Sequence, residues 1–267
     1  MEKAVVLAAG RGTRMRREQL SANLTADQLE VANNGLKAMM PVGRPFIDYV
    51  LSGLADAGYQ RACLVIGPDH RSLQDHCNQY QSGRIEIEFA IQPTAKGTAD
   101  ALVAAQDFVG DDPFLLVNGD NLYPQSALAG LRQLAGSAVA AFNPETLSRG
   151  NITNDRLKYY ALLWIDSDGL LKRVIEKPSE EQMAHVGIIP LINMNCWRFT
   201  PAIIDACRNI EPSPRGEYEL TDAVNYAIEQ MGERFAVLAV NEPVLDLSTQ
   251  ADVAEVTRRL ADIEVDL

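Results

Sequence analysis

The chain's first apolar run is followed by Leu7-Ala8-Ala9-Gly10-Arg11-Gly12-Thr13-Arg14-Met15. Gly10 and Gly12 let the backbone turn with its N–H groups toward a ligand, small Ala8 and Ala9 let a flat base approach, and Arg14 offers a forked cation to phosphate oxygens. The loop lacks the third glycine of a dinucleotide fingerprint and the Gly-Lys-Ser/Thr ending of a Walker loop. A tight strand-to-helix turn with a surface arginine is the competing reading. Lys37 supplies a second cation ahead of Pro41 and Pro45, and its place between the first strand and the next helix favours a phosphate role over a solvated charge. Gln92 ends a later apolar run and precedes Lys96-Gly97-Thr98-Ala99-Asp100. Here Gly97 permits close backbone approach, Thr98 suits the cap of a helix, and a primary amide that donates and accepts matches the N–H and C=O of a pyrimidine edge. An ordinary loop glutamine beside a helix cap is the plainer account.

Carboxylates make sense in such a place only with a counter-ion. Asp120, in Asn118-Gly119-Asp120, would be repelled by a polyphosphate unless a divalent cation stood between them, and Mg²⁺ takes one or two carboxylates together with phosphate oxygens. Asp246 is the candidate second ligand, although a turn or N-cap role suits either aspartate. In Glu176-Lys177-Pro178, Lys177 is placed to meet the phosphate of a second substrate, with Glu176, Asn193 and Asn195 for hydroxyl groups; a surface ion pair before a proline turn is the alternative.

Elements of two periods must position these residues. Strand-length apolar runs at 3–8, 61–66, 85–91 and 114–117 alternate with helical patterns at 45–57, 69–80, 98–109 and 124–134, which predicts a parallel sheet with helices on both faces. Ligands of such sheets lie beyond the carboxyl ends of the strands, where the residues above fall. Further on, 159–165 and 170–175 flank Asp168-Gly169 as a hairpin, 188–199 and 235–240 read as strands, and 201–207, 220–231 and 250–263 read as helices. The sheet is therefore expected to become mixed, within one domain spanning 1–267. An insertion at about 17–36 breaks the rhythm: a capping box, Thr25 to Gln28, and the stop signal Asn33-Asn34-Gly35 predict a short surface helix. It is readable as a lid over the phosphates or as a passive insertion.

Composition narrows the ligand. The 267 residues carry a formal charge of −12 and are 47% hydrophobic, which excludes a disordered chain and disfavours a nucleic-acid polymer as partner. Residues 1–44 nevertheless hold seven basic and four acidic side chains, a local cationic excess that suits a small polyphosphate. No run approaches a membrane span and the first residues show no signal-peptide pattern, so a cytoplasmic location without membrane contact is expected. Cysteines 63, 77, 196 and 207 and histidines 70, 76 and 185 have no metal-site spacing and read as buried thiols and scattered imidazoles.

Taken in order, LAAGRGTRM from Leu7, K-x-x-x-P-V from Lys37, Q-x4-GTADAL from Gln92, NGD from Asn118, EKP from Glu176 and the Asp246 segment resemble the sugar-1-phosphate nucleotidyltransferases, which include glucose-1-phosphate thymidylyltransferases and uridylyltransferases. The resemblance implies a Rossmann-like three-layer α/β/α fold around a mostly parallel mixed sheet, and the reaction of a nucleoside triphosphate with a sugar 1-phosphate to give an NDP-sugar and pyrophosphate. It implies that the backbone from Leu7 to Gly10 and Gly12 contacts the nucleotide, Arg14 and Lys37 hold its phosphates, and Gln92 with Gly97 reads the base. Asp120 and Asp246 would carry Mg²⁺, Lys177 the sugar phosphate, and Glu176 and Asn193 the sugar hydroxyls, in a sugar-binding half at about 145–230. Tyr160-Ala161 stands where the family often has an aromatic residue followed by glycine, Asn195 replaces a common glycine, and Asp246-Leu247-Ser248 replaces Asp-x-Gly. These departures leave the sugar open. Gln92 favours UTP or dTTP, and the absence of hexapeptide repeats before Leu267 predicts a single activity. A transferase acting on a non-sugar phosphate, a catalytically silent nucleotide-sugar-binding regulator and, more distantly, a nicotinamide dehydrogenase are the rival readings. A homo-oligomer is compatible with all of them.

Overall fold

A computed structural model describes residues 1–17, 23–80, 83–176 and 191–267. Its frame is a sheet in which β1 (Lys3–Leu7), β2 (Arg61–Ile66), β3 (Glu86–Ile91) and β4 (Phe114–Asn118) run parallel, in spatial order β4-β1-β2-β3. The short β5 (Asn121–Leu122) follows β4, and β6 (Ser137–Phe142) lies further out. The hairpin β7 (Leu162–Ile165) and β8 (Leu171–Ile175) turns at Asp168-Gly169 as the sequence predicts. β9 (Leu191–Phe199) is antiparallel to both β4 and β6, and β10 (Phe235–Val240) closes the sheet parallel to β6. A last short strand, β11 (Leu245–Asp246), pairs antiparallel with β5.

Period-2 alternation explains the layers. In β1, Ala4 and Val6 enter one core and Val5 the other; in β4, Leu115 and Val117 oppose Phe114 and Leu116. Helices Phe46–Asp56, Gln125–Gln133 and Asp252–Leu260 cover the first face. Helices Thr98–Ala104, Ala202–Asn209 and Leu220–Met231 cover the second. All four cysteines are buried free thiols, and desolvation raises each of them. Among the described residues no helix is long and apolar enough to cross a membrane.

Several elements differ from expectation for local reasons. The run 98–109 is two helices, Thr98–Ala104 and Gln106–Val109, parted at Ala105, whose backbone leaves helical geometry. Strand β6 was missed because Ser-Ala-Val-Ala-Ala-Phe is buried at every position and has no alternation to read. Residues 188–190 of the expected strand 188–199 lie outside the described residues.

The insertion does form a helix, Ala26–Asn34, with both halves of the Thr25–Gln28 capping box made and Gly35 as its left-handed cap. It is docked on the glycine loop. At Gly12, with φ +57°, a Cβ would sit 2.2 Å from the Gly35 carbonyl oxygen, so two backbones touch where a side chain would part them. Arg16 Nη2 donates to Asn34 O at 2.8 Å, and Gln28 Nε2 to Pro41 O at 2.8 Å. The helix thus braces both the loop and the segment carrying Lys37.

Candidate active site

Beyond the carboxyl ends of β1 and β4 lies a cavity of about 510 Å³. Its wall includes Leu7, Ala8, Ala9, Gly10, Gly12 and Arg14 from the glycine loop, Lys37, Gln92, Gly97, Thr98, Asp120 and Asn195. Twelve residues singled out from the sequence therefore share one wall, brought there by parallel registry: Leu7 pairs with Asn118, and Gly119 N–H donates to Leu7 O at 2.9 Å. Arg11, Asn118, Glu217 and Glu219 complete parts of the wall without having been assigned a role beforehand.

The cationic end is built around Lys37. Its ammonium is 14% exposed and pairs with the Asp120 carboxylate, which uses one of three N–H donors and leaves two for a ligand. Among the described residues Arg11 and Arg14 have no ion-pair partner, so two guanidinium groups beside the loop remain for anions. At the other end Glu217 and Glu219 share the one guanidinium of Arg215, at 3.9 and 2.6 Å, two carboxylates to a single cation. The cavity is therefore polarised, positive beside the glycine loop and negative beside 217–219.

Thr98 does not cap its own helix. Its Oγ1 accepts from Leu220 N–H at 2.9 Å, at the start of Leu220–Met231, while the N-cap of Thr98–Ala104 is Gly97. Gly97 is clamped between Tyr218 N–H donating to Lys96 O at 2.7 Å and Ala99 N–H donating to Tyr218 O at 2.9 Å. With φ +120°, a Cβ there would lie 2.3 Å from Tyr218 O. Gly97→Ala is accordingly expected to cost about 2 kcal/mol or more of stability, from a disfavoured backbone region plus a backbone clash; urea denaturation checks it, and an unchanged midpoint would show that the clamp yields.

The Gln92 amide also departs from expectation. It does not offer a donor and an acceptor together: Nε2 donates to Gly97 O at 3.1 Å and to Asp100 Oδ2 at 2.7 Å.

The remaining candidates lie behind or beside the wall. Asp246 is 3% exposed; its Oδ1 accepts from Asn121 Nδ2 at 2.9 Å, and its Oδ2 accepts from Tyr160 Oη at 3.0 Å and from Arg156. Tyr160 therefore serves Asp246 rather than the cavity; burial, then the Asp246 charge, lifts its hydroxyl far above the usual value, with Arg156 and Arg14 pulling the other way. Burial works against the Arg156 charge, and Tyr160, Asp246 and Asp252 more than offset it. Asn193 is buried, with Nδ2 donating to Asn195 Oδ1 at 3.1 Å and Oδ1 accepting from Asn195 N–H at 2.9 Å. Asn195 adopts φ +54°, a conformation that glycine and asparagine enter at low cost, at an irregularity in the β6–β9 pairing. Glu176 accepts from Thr221 Oγ1 at 3.2 Å and is exposed outside the wall. Lys177 lies outside the described residues.

Sequence reasoning missed Asn121, Asn151, Arg156 and Asp252. A line of amides joins the cavity to the buried aspartate: Asn118 Nδ2 donates to Asn121 Oδ1 at 3.0 Å, and Asn121 donates on to Asp246. Arg156 gave no local signal, because its partners are 90 and 96 residues away.

Asp120 fits a divalent ion, being a partly exposed carboxylate in the cavity wall. Asp246 fits less well as a direct ligand, since both its oxygens already accept hydrogen bonds. Among the described residues no group of three or more His, Cys, Asp or Glu gathers around a metal position. An ion bound here would thus need substrate phosphate oxygens in its shell, as Mg²⁺ commonly has.

Comparison with known proteins gives a consistent picture. A family model described as nucleotidyl transferase matches residues 3–262. The chain is 31% identical over 263 residues to the UTP–glucose-1-phosphate uridylyltransferase AglF of Haloferax volcanii, covering 97% of each chain. It is 29% identical over 265 residues to a glucose-1-phosphate thymidylyltransferase of Streptomyces antibioticus, covering 98% of this chain and 67% of that one. A solved structure of a UDP-glucose pyrophosphorylase complexed with UDP-glucose superposes with a TM-score of 0.74 at 19% identity, over 99% of this chain and 100% of the other. That last likeness speaks for the α/β fold.

Proposed function

The chain belongs to the nucleotidyl transferase family, and from that premise we propose that it transfers a nucleoside monophosphate, from UTP or dTTP, to a sugar 1-phosphate, releasing pyrophosphate. The observation that carries this reading is the single cavity wall shared by the glycine loop, Arg14, Lys37 and Asp120. An NTP bound along it would lay its base toward Gln92 and Gly97 and its phosphates toward the cations.

A phosphate monoester is already a nucleophile at neutral pH, so no protein base or covalent intermediate is required. The sugar phosphate oxygen attacks the α-phosphorus in line as the bond to pyrophosphate breaks, and the work of the site is alignment of two anions and neutralisation of their charge. Arg14 and the two remaining N–H donors of Lys37 face the developing charge, and backbone N–H groups of the glycine loop hold the phosphates in register. Mg²⁺ supplies further charge neutralisation when bound. Asp120 is its proposed protein ligand; Asp246 joins only by giving up one of its present donors. Glu176, Asn193 and Asn195, with Lys177, belong to the proposed sugar side.

The test is a matrix of nucleoside triphosphates against sugar 1-phosphates and simpler phosphates, with and without Mg²⁺, read by pyrophosphate release. Metal-dependent turnover confined to UTP or dTTP and sugar 1-phosphates is the expected result. Turnover only with a non-sugar phosphate would replace the acceptor, and tight nucleotide binding without turnover in any combination would overturn the enzymatic reading.

A further inference from the structure

The amide of Gln92 has a forced orientation. An amide nitrogen carries two hydrogens, and those of Gln92 go to Gly97 O and Asp100 Oδ2, at 3.1 and 2.7 Å. Reversing the group would set its carbonyl oxygen against a carbonyl and a carboxylate, neither of which donates. The residue is 3% exposed yet contributes to the cavity wall, and its Oε1 has no hydrogen-bond partner among the described residues. What Gln92 can present to a ligand is an acceptor.

Asp100 is the stronger of the two constraints, because it is charged and the shorter contact. It lies in the first turn of Thr98–Ala104 and is not part of the cavity wall. We propose that Asp100 is a positioning residue that sets base selection: by holding the Gln92 carbonyl toward the cavity, it admits a base whose ring nitrogen carries hydrogen, as N3 of uracil and thymine does, and rejects one whose ring nitrogen is an acceptor, as in cytosine. The ligand class rests on the nucleotidyl transfer reading; the orientation of the amide does not.

Uracil and cytosine are nearly equal in size, so their discrimination isolates the hydrogen-bond term. Leaving one buried polar group mispaired corresponds to roughly 5- to 150-fold in affinity, and wild-type protein should prefer UTP to CTP by an amount in that range. The experiment measures binding of UTP and CTP by calorimetry, without sugar phosphate, alongside kcat/KM for both. Asp100→Leu, similar in size but without an acceptor, should shrink the UTP/CTP ratio at least about fivefold. Asp100→Asn keeps an acceptor oxygen for the Gln92 amide and should preserve the wild-type ratio. A purely structural role for Asp100 would weaken both nucleotides alike, so an unchanged ratio in Asp100→Leu overturns the proposal, as does wild-type protein that binds UTP and CTP equally.

A measurement on wild-type protein stands should neither variant fold. UTP methylated at N3 lacks the hydrogen and should bind at least about tenfold more weakly than UTP; equal binding overturns the proposal. Failure of the functional reading looks different. An Asp100-dependent binding ratio in a protein that releases no pyrophosphate would sink the transfer reading and sustain this inference, whereas active uridylyl transfer with an Asp100-independent ratio would do the reverse.

Discussion

Lys37→Ala is expected to lower kcat by about 10²–10³, the usual size for one preorganised electrostatic contact. Lys37 opens a single 3₁₀ turn, Lys37–Met39, whose backbone is fixed at both ends: Lys37 N–H donates to Gly35 O at 3.1 Å and Met40 N–H to Lys37 O at 3.0 Å. The side chain emerges from a rigid base with little freedom to search, and Asp120 holds its tip. An alanine removes charge from the place where phosphoryl charge shifts, and it also leaves Asp120 as an uncompensated negative group facing the substrate. The loss should fall mainly on kcat, because the contact strengthens as charge moves to the leaving pyrophosphate. Steady-state kinetics on an active substrate pair separates the two parameters. A rate near wild type would take Lys37 out of the mechanism.

Arg156→Ala should have the largest effect on stability, about 3–5 kcal/mol, by the rule for deleting one partner of a buried ion pair. Arg156 bridges two carboxylates: Nη2 meets Asp246 and Nη1 donates to Asp252 Oδ1 at 2.6 Å. Asp246 and Asp252 are 3% and 6% exposed, so water cannot replace the lost cation easily. Asp252 also accepts from Ser248 and Thr249 N–H through Oδ2, at 3.1 and 2.7 Å, which anchors the start of the last helix. The variant should melt roughly 6–20 °C below wild type if each kcal/mol is worth 2–4 °C in a domain of this size. Adding Asp246→Asn and Asp252→Asn should recover part of the loss, since neutral amides tolerate burial without a cation. A melting temperature unchanged in the single variant would mean that the pair contributes nothing net.

The parallel half of the fold was legible because its strands are short apolar runs ended by glycine or polar residues, and the ligand-facing residues follow those ends directly. Leu7 to Arg14, Gln92, Gly97 and Asp120 could be placed on one rim by that logic alone. The antiparallel half was harder. β6 is buried throughout and has no alternation, and the order β10-β6-β9-β4 depends on pairings that no local pattern encodes. The same limit applies to the site. Residue type announced that Asp246 could bind a cation, but only the fold shows that this cation is in part Arg156, supplied from a four-residue helix, Asn154–Leu157, with no distinguishing composition. Likewise the capping pattern at Thr98 was real, but the N–H it satisfies belongs to another helix, 122 residues on.

The pairing of β11 with β5 sets a constraint on how the site comes into being. Asp246 N–H donates to Asn151 Oδ1 at 2.8 Å, while Leu247 N–H donates to Asp120 O at 2.9 Å and Gln250 Nε2 to Met15 O at 3.0 Å. Contacts that link positions about a hundred residues or more apart form late, because closing so long a loop costs entropy before any contact offsets it. A chain still emerging from the ribosome could complete β1 to β4 and their covering helices, yet the backing of Asp120 and of the glycine loop would be missing until residues near 250 arrived. The rim that carries Asp120 and the glycine loop thus depends for its support on residues near 250, and a chain cut before them would lack it.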